Sequence, residues 1–226
     1  MSGEQWGPSG NVSERRDVAL LHTSPVHEPT FTALFTELAP HLTLKHATQP
    51  QLLDLAVEQA NHPNVVALKV QDAVTRLARG ASVVLCTCST IGAYAESTPG
   101  ARVVRVDRAM ARHAVERASR IHVVAALPET LPATMSLLHD EGARAGKDVQ
   151  ITSSVVLRAW AAFLEGHSDA YLDTIARHVD QVNDQVEVVV LAQASMAGAA
   201  ARASSPVPIL SSPRLAVQSV LQLFSR

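Results

Sequence analysis

Short apolar runs alternate along the chain with segments in which apolar residues recur at the spacing of an α helix. Apolar runs bounded by polar turn residues are typical of buried strands, and the spaced pattern predicts helices that cover them. The predicted strands cover residues 17–24, 42–48, 101–107, 120–130, 149–156 and 207–212, with two more inside 81–92 and 186–198. The predicted helices cover residues 29–38, 51–60, 65–79, 108–119, 131–146, 158–166, 168–185 and 214–224. This alternation predicts an α/β protein with mainly parallel sheets.

The apolar run ASVVLCTCSTIG, residues 81–92, ends in cysteines, hydroxyl residues and a glycine. Val83, Val84 and Leu85 predict a strand that is covered on both faces, and the polar residues that follow are able to start a helix. Ligands of open α/β sheets bind at the carboxyl ends of the strands. We therefore predict that this strand delivers its last residues into a functional cleft.

A second stretch, VEVVVLAQASMAG at residues 186–198, repeats this design. An overlay of the two apolar runs without a gap sets Ala194 opposite Cys88 and Ser195 opposite Ser89. A strand-to-turn unit that occurs twice predicts two related half-chains that face one another. Only the first of the two units carries cysteine.

The repeat predicts two similar Rossmann-like or flavodoxin-like lobes, related by a pseudo-twofold axis, with the site in the cleft between them. We assign residues 16–105 plus 206–226 to the first lobe and residues 106–205 to the second. Residues 1–15 are rich in Gly, Ser and Pro and show no periodicity, so we predict a flexible tail.

The amino-acid composition of the chain argues against several classes of function. The 226 residues are 47% hydrophobic and 18% charged with a net charge of −2, which is typical of a globular protein and argues against a nucleic-acid partner. No apolar run reaches the roughly 18 residues of a membrane helix, and the N-terminus lacks a basic-then-apolar signal. We therefore expect no membrane association and a cytoplasmic location. The two cysteines are typical of free thiols, and Cys86 fits a small core residue.

Two motifs carry a family resemblance. Cys88-Ser89-Thr90 follows the first strand, and the segment LAQASM, residues 191–196, ends the second. Together with the half-chain repeat, they resemble the aspartate/glutamate/hydantoin racemase superfamily from about residue 17 to 226. The first family motif is usually Cys-Asn-Thr. The second is usually Leu-Gly-Cys followed by Thr-His or Ala-Gly-Met, and this chain has Gln193 at the cysteine position.

The resemblance implies two similar α/β domains and a cofactor-free reaction between them, with one cysteine on each side of the substrate carbon. It implies a small carboxylate substrate, no metal and no cofactor, and it leaves a homo-oligomer open. The implied catalytic positions are Cys88 and Gln193. Residues that would contact the substrate are Thr23, Ser24, Ser89, Thr90, Thr130, Ala194 and Ser195. His22 is either a further contact or an interior histidine.

The second thiol of the family is missing here. Its counterpart is Gln193 by the family motif and Ala194 by the ungapped overlay, and neither residue titrates near neutral pH. Inversion of an α-carbon needs a base on one face and an acid on the other. Cys88, at a strand end and a helix N-terminus, is placed where a thiolate is favoured. The sequence therefore predicts one-base or covalent chemistry at Cys88, with little or no racemisation of aspartate or glutamate.

Three functions remain open. The first is a racemase-superfamily enzyme that acts on a small carboxylate through Cys88, alone or with a partner other than cysteine. The second is a one-base decarboxylase or lyase, since the superfamily includes arylmalonate decarboxylases, whose single cysteine lies on the second side. The third is a carboxylate-binding protein without turnover. Ser89, Thr90 and Ser195 either hold the carboxylate or cap the following helices. Arg105 and Asp107 are expected to form a structural ion pair.

Overall fold

A computed structural model describes residues 17–183 and 185–225. The described strands are β1 (Asp17–His22), β2 (Thr43–Thr48), β3 (Val83–Cys86), β4 (Val103–Arg105), β5 (Arg120–Ala125), β6 (Gln150–Val155), β7 (Val188–Leu191) and β8 (Ile209–Leu210). The described α helices are α1 (His27–Leu38), α2 (Gln51–Glu58), α3 (Pro63–Ala78), α4 (Ser89–Glu96), α5 (Arg108–Arg117), α6 (Thr130–Ala145), α7 (Leu157–Leu164), α8 (Ser168–Val179) and α9 (Ser212–Phe224). A 3-10 helix covers Ala194–Ala201. The predicted alternation of strand and helix is confirmed.

The strands form two parallel sheets of the same topology. The first has the order β2-β1-β3-β4 and the second β6-β5-β7-β8. The central strands β1 and β5 each pair with the strand that follows and with the strand after it. The predicted α/β class with two similar lobes is confirmed.

Each sheet is covered on both faces, which is why β3 and β7 are apolar throughout and β1 is apolar from Val18 to Leu21. In the first lobe, Val18 and Leu20 face α1 and α9, whereas Ala19 and Leu21 face α2, α3 and α4. In the second lobe, one face packs against α5 and α6, and the other packs against α7, α8 and the 3-10 helix. This burial fixes the ends of β1, β3, β5 and β7 at the cleft.

The ends of several elements differ from the prediction. The strand predicted over 120–130 ends at Ala125, the helix predicted over 168–185 ends at Val179, and β8 has two residues. The predicted helix stop at Gly146 is confirmed, because this residue takes the left-handed conformation (φ 63°) that glycine adopts without strain.

The lobe boundaries stay a prediction, although two observations concern the assignment of residues 206–226 to the first lobe. β8 pairs with β7 in the second sheet, whereas α9 packs on the core of the first lobe. The predicted tail at residues 1–15 lies outside the described residues. Within the described residues, no helix combines the length and the apolar character that crossing a bilayer requires.

Charged contacts hold the lobes together beside the cleft. Arg108, at the start of α5, donates to Glu96 of α4 and to Asp140 and Glu141 of α6. Next to it, the buried Arg105 and Asp107 form the predicted ion pair with two parallel hydrogen bonds of 2.8 and 2.9 Å. Arg108 therefore ties α5 and α6 of the second lobe to α4 of the first.

Candidate active site between the lobes

A cavity of about 470 Å³ opens at the carboxyl ends of the strands, between the two lobes. It is lined from both sides, and all nine predicted site residues contribute to it: Thr23, Ser24, Cys88, Ser89 and Thr90 from the first lobe, and Thr130, Gln193, Ala194 and Ser195 from the second. These residues are separated by up to 172 positions in sequence (195 − 23) and meet because the strands that carry them end at one place.

Cys88 lies at the N-cap of α4 with an extended backbone, two residues after β3 ends. Cys88 is 8% exposed and lines the cavity, whereas Cys86 has no exposed surface and does not line it, although both residues pack in the same apolar cluster of the first lobe. The Cys86 thiol donates to the carbonyl oxygen of Cys88 (3.6 Å), and burial raises its pKa. The two thiols therefore differ in their access to the cavity.

Alkylation should modify Cys88 and spare Cys86 in the folded protein, because only the thiolate of an accessible cysteine reacts readily. Peptide mapping by mass spectrometry after iodoacetamide treatment measures the label on each residue. Unfolded protein is the control, in which both cysteines should be labelled. Preferential modification of Cys86 in the folded protein would contradict this assignment.

Gln193 is the structural counterpart of Cys88. In the first sheet the amide of Thr87 donates to the carbonyl of Leu21, and in the second the amide of Ala192 donates to the carbonyl of Val124. Leu21 and Val124 are each the fifth residue of a six-residue central strand, so the residues that follow these amides, Cys88 and Gln193, are equivalent.

Both residues also precede a helix, and both have extended backbones. The ungapped overlay that set Ala194 opposite Cys88 was therefore wrong by one residue.

The Gln193 side chain is anchored in the second lobe. Its Oε1 accepts hydrogen bonds from the backbone amides of Ala126 (2.7 Å) and Leu127 (3.1 Å). Because both neighbours are N–H donors, this network fixes which end of the amide is the oxygen. The carbonyl oxygen of Gln193 is thus occupied, and the polar group that remains on this cavity-lining side chain is an N–H donor.

The hydroxyl groups of the cavity have different environments. Thr90 and Thr130 share a hydrogen bond of 3.1 Å between their Oγ1 atoms, which joins the N-termini of α4 and α6 across the lobes. Ser195 shares a hydrogen bond of 2.7 Å with Tyr171, which holds its hydroxyl in the second lobe. Ser89 Oγ is buried and has no hydrogen-bond partner among the described residues. The N-cap residue of α4 makes no side-chain hydrogen bond to the helix.

His22 does not line the cavity, and the interior-histidine interpretation fits it. The Thr87 hydroxyl donates to the carbonyl of Leu21 and therefore accepts from Nδ1–H of His22 (2.8 Å). Nε2 of the neutral His22 then accepts from Nδ1–H of His46 (2.9 Å). Burial, with the nearby His46 and His27, lowers the pKa of His22 to about 4, so its ring is neutral at pH 7.

Sequence reasoning missed several lining residues, namely His27, Asp54, Glu58, Thr87, Trp160 and Phe163. His27 begins α1 as Thr130 begins α6, so the repeat itself could have indicated it. It lies in the same lobe as Cys88, and burial lowers its pKa to about 4. Among the described residues, no group of three or more His, Cys, Asp or Glu is arranged to hold a metal ion.

Comparison with known proteins agrees with this architecture. The family model for Asp/Glu/Hydantoin racemase matches residues 28–220. None of the curated protein sequences that were compared matches the chain.

Among solved structures, glutamate racemase from Francisella tularensis in complex with D-glutamate is similar at a TM-score of 0.69 and 12% identity, over 93% of this chain and 81% of that one. Allantoin racemase from Klebsiella pneumoniae is similar at a TM-score of 0.63 and 18% identity, over 92% of this chain and 87% of that one. Picrophilus torridus aspartate racemase is similar at a TM-score of 0.68 and 12% identity, over 92% of this chain and 94% of that one.

At these identities the solved structures establish the fold, and the family model, which spans most of the chain, establishes the relationship. The chain belongs to the Asp/Glu/hydantoin racemase family.

Proposed function

We propose that the protein is a cofactor-independent enzyme that acts on a small carboxylate through one acid/base residue, Cys88. The observation that carries the proposal is the asymmetry of two equivalent positions. One holds a thiol at a helix N-terminus, and the other holds a glutamine whose carbonyl oxygen is already bonded by two backbone amides. One side of the cleft is therefore equipped for proton transfer and the other for hydrogen-bond donation.

The floor of the cavity supplies the carboxylate site in this proposal. The N-termini of α4 and α6 meet there, and their first-turn amides favour an anion. Ser89 Oγ, which lacks a partner among the described residues, supplies a further donor. The pair Thr90 and Thr130 holds the two helix ends in register, and Thr23 and Ser24 close the first-lobe side.

The proton step uses the substrate carbon between Cys88 and Gln193. The Cys88 thiolate removes the α-proton, and the electron pair of the broken C–H bond moves onto the carboxylate, which becomes an enediolate. N–H donors of Gln193 and of the α4 N-terminus stabilise this added negative charge. Because no thiol lies on the second side, the proton returns from Cys88 to the same face. The predicted outcome is exchange of the α-hydrogen with retained configuration.

The relatives support a carboxylate or related acid as the substrate class. Solved structures with this fold include glutamate racemase with D-glutamate bound, aspartate racemase and allantoin racemase. We also propose that the protein is cytoplasmic.

Loss of carbon dioxide in place of a proton uses the same enediolate, so a one-base decarboxylase is the second candidate. The occupied oxygen of Gln193 favours it as well, since decarboxylation requires a proton donor on one face only.

A panel assay separates the candidates. Purified protein is incubated without added cofactor in deuterated water with amino acids, 2-substituted monocarboxylates and substituted malonates, and proton NMR follows each compound. Loss of the α-proton signal supports the enzyme of the first proposal, and release of carbon dioxide supports the decarboxylase. Saturable binding without either reaction would contradict both and would identify a carboxylate-binding protein.

A further inference from the structure

The walls of the cavity differ in chemistry from its floor. In addition to the hydroxyl groups and Cys88, the short helices α2 and α7 line the cavity, one from each lobe, and they occupy equivalent places after β2 and β6. Both present apolar side chains to the cavity: Leu53 and Val57 from α2, and Trp160, Phe163 and Leu164 from α7. A substrate held at the floor by its carboxylate must extend between these two helices.

The aromatic part of this wall is built as a unit. The rings of Trp160 and Phe163 stack with centroids 4.8 Å apart, and Phe163 packs at 5.2 Å against Tyr171. Tyr171 is buried and its hydroxyl bonds Ser195 at the floor. The apolar wall is thus fixed relative to the polar floor, and a flat or branched apolar group has a preformed surface to pack on.

Among the described residues, the wall of the cavity has no cation to pair with a negative charge on the substrate side group. Among the described lining residues there is no lysine or arginine, and the carboxylates Asp54 and Glu58 of α2 lie on the wall. The lining histidine, His27, is neutral at pH 7 because burial lowers its pKa to about 4. A second carboxylate would lose its hydration beside two like charges without a cation in exchange.

We infer that the side group of the substrate is uncharged and apolar or aromatic and packs between α2 and α7, and that acids with a charged side group, such as aspartate and glutamate, are excluded. The inference rests on the proposed function only in placing the substrate carboxylate at the floor. Specificity then comes from the wall, through burial of the side group and through repulsion of a second charge.

Calorimetric titration of the full chain tests this inference with four probes: norleucine, phenylalanine, glutamate and aspartate. Norleucine and glutamate share the α-amino and carboxylate groups and have side chains of similar length, so they differ mainly in the charge at the far end. Norleucine and phenylalanine should bind about 10-fold or more tightly than the two dicarboxylates. Equal or tighter binding of glutamate or aspartate, or no binding of any of the four, would overturn the inference.

Two substitutions on one helix sharpen the test. Leu164 lines the cavity and is 70% exposed, and Leu157 is 66% exposed on the same helix and does not line it. Leu164→Arg should strengthen glutamate binding and weaken norleucine binding, because it places a cation at the wall, whereas Leu157→Arg should change neither. An equal response of the two variants would contradict the assignment of the wall.

These titrations measure equilibrium binding, so they separate the two proposals. Preferential binding of the apolar acids without any α-hydrogen exchange would support the substrate class and reject the catalytic proposal.

Discussion

Replacement of Cys88 by alanine is expected to lower the rate of α-hydrogen exchange by about 10²- to 10⁴-fold, the usual cost of losing an essential acid/base group. The expectation follows from the position of the thiol, which lies at the N-cap of α4 and lines the cavity between the lobes. No second thiol substitutes for it, because Cys86 is enclosed in the core and burial raises its pKa. Exchange is measured by NMR in deuterated water at saturating substrate.

Cys86→Ala is the matched control for this variant. It removes the buried thiol that lies two residues before Cys88. The variant should therefore lose some stability and keep a nearly unchanged exchange rate per folded molecule. Thermal unfolding of both variants separates lost activity from lost fold. Exchange by folded Cys88→Ala at the wild-type rate would remove Cys88 from the mechanism.

Replacement of Asp107 by alanine is expected to lower the free energy of unfolding by about 3–5 kcal/mol, since it leaves a buried guanidinium without its partner. Arg105 and Asp107 are both buried and joined by two hydrogen bonds of 2.8 and 2.9 Å. Gly92 of α4 packs against the same guanidinium, so a side chain at that position would be 3.2 Å from Arg105 Nε. The arginine therefore has little room to turn toward water. Urea unfolding followed by circular dichroism measures the loss.

An exposed pair of the same geometry serves as the control. Arg214 donates two hydrogen bonds of 2.8 Å to Glu37, and both side chains are about half exposed. Glu37→Ala should change stability little, because water replaces the lost partner. A second variant, Arg105→Met combined with Asp107→Leu, should recover much of the loss by removing both charges. A loss in Asp107→Ala as small as that in Glu37→Ala would contradict the buried pair.

The sequence predicted the class of fold and the floor of the site for identifiable reasons. Apolar runs that end in polar residues mark strands whose ends reach a cleft, which is why the sequence predicts Cys88, Thr130 and Ser195 at this cleft. The number of lobes followed from the duplicated unit, and the parallel pairing followed from the alternation of strand and helix. These features are local in sequence or repeat within it.

The register of the repeat could not be predicted from the apolar pattern alone. β7 contains three consecutive valines, Val188–Val190, so the two valines that begin β3 overlay on it at two positions that differ by one residue. Only the hydrogen bonds to the central strands distinguish them, and they pair Cys88 with Gln193. The family motif indicated the same residue.

The residues that form the walls of the cavity could not be predicted from the sequence, because their role depends on where their helices lie in the tertiary structure. Trp160 and Phe163 lie on a short amphipathic helix that sequence alone shows only as apolar, and their role follows from the position of α7 opposite α2. His27 was missed because it begins a helix whose start was predicted two residues later. The two hydrogen bonds that Gln193 accepts from the amides of Ala126 and Leu127 join residues more than 60 positions apart, so no local sequence pattern indicates them.

We propose that this racemase-family cleft transfers a proton on one face only. The most direct test measures deuterium content and configuration together, by mass spectrometry and chiral chromatography, on the compound that exchanges fastest in deuterated water. The wild-type protein should accumulate α-deuterium in substrate of unchanged configuration, and Gln193→Cys, with a thiol at the counterpart of Cys88, should begin to produce the opposite enantiomer. Inversion by the wild-type protein that keeps pace with deuterium uptake would contradict the account, since it would require a second acid/base residue on the Gln193 side.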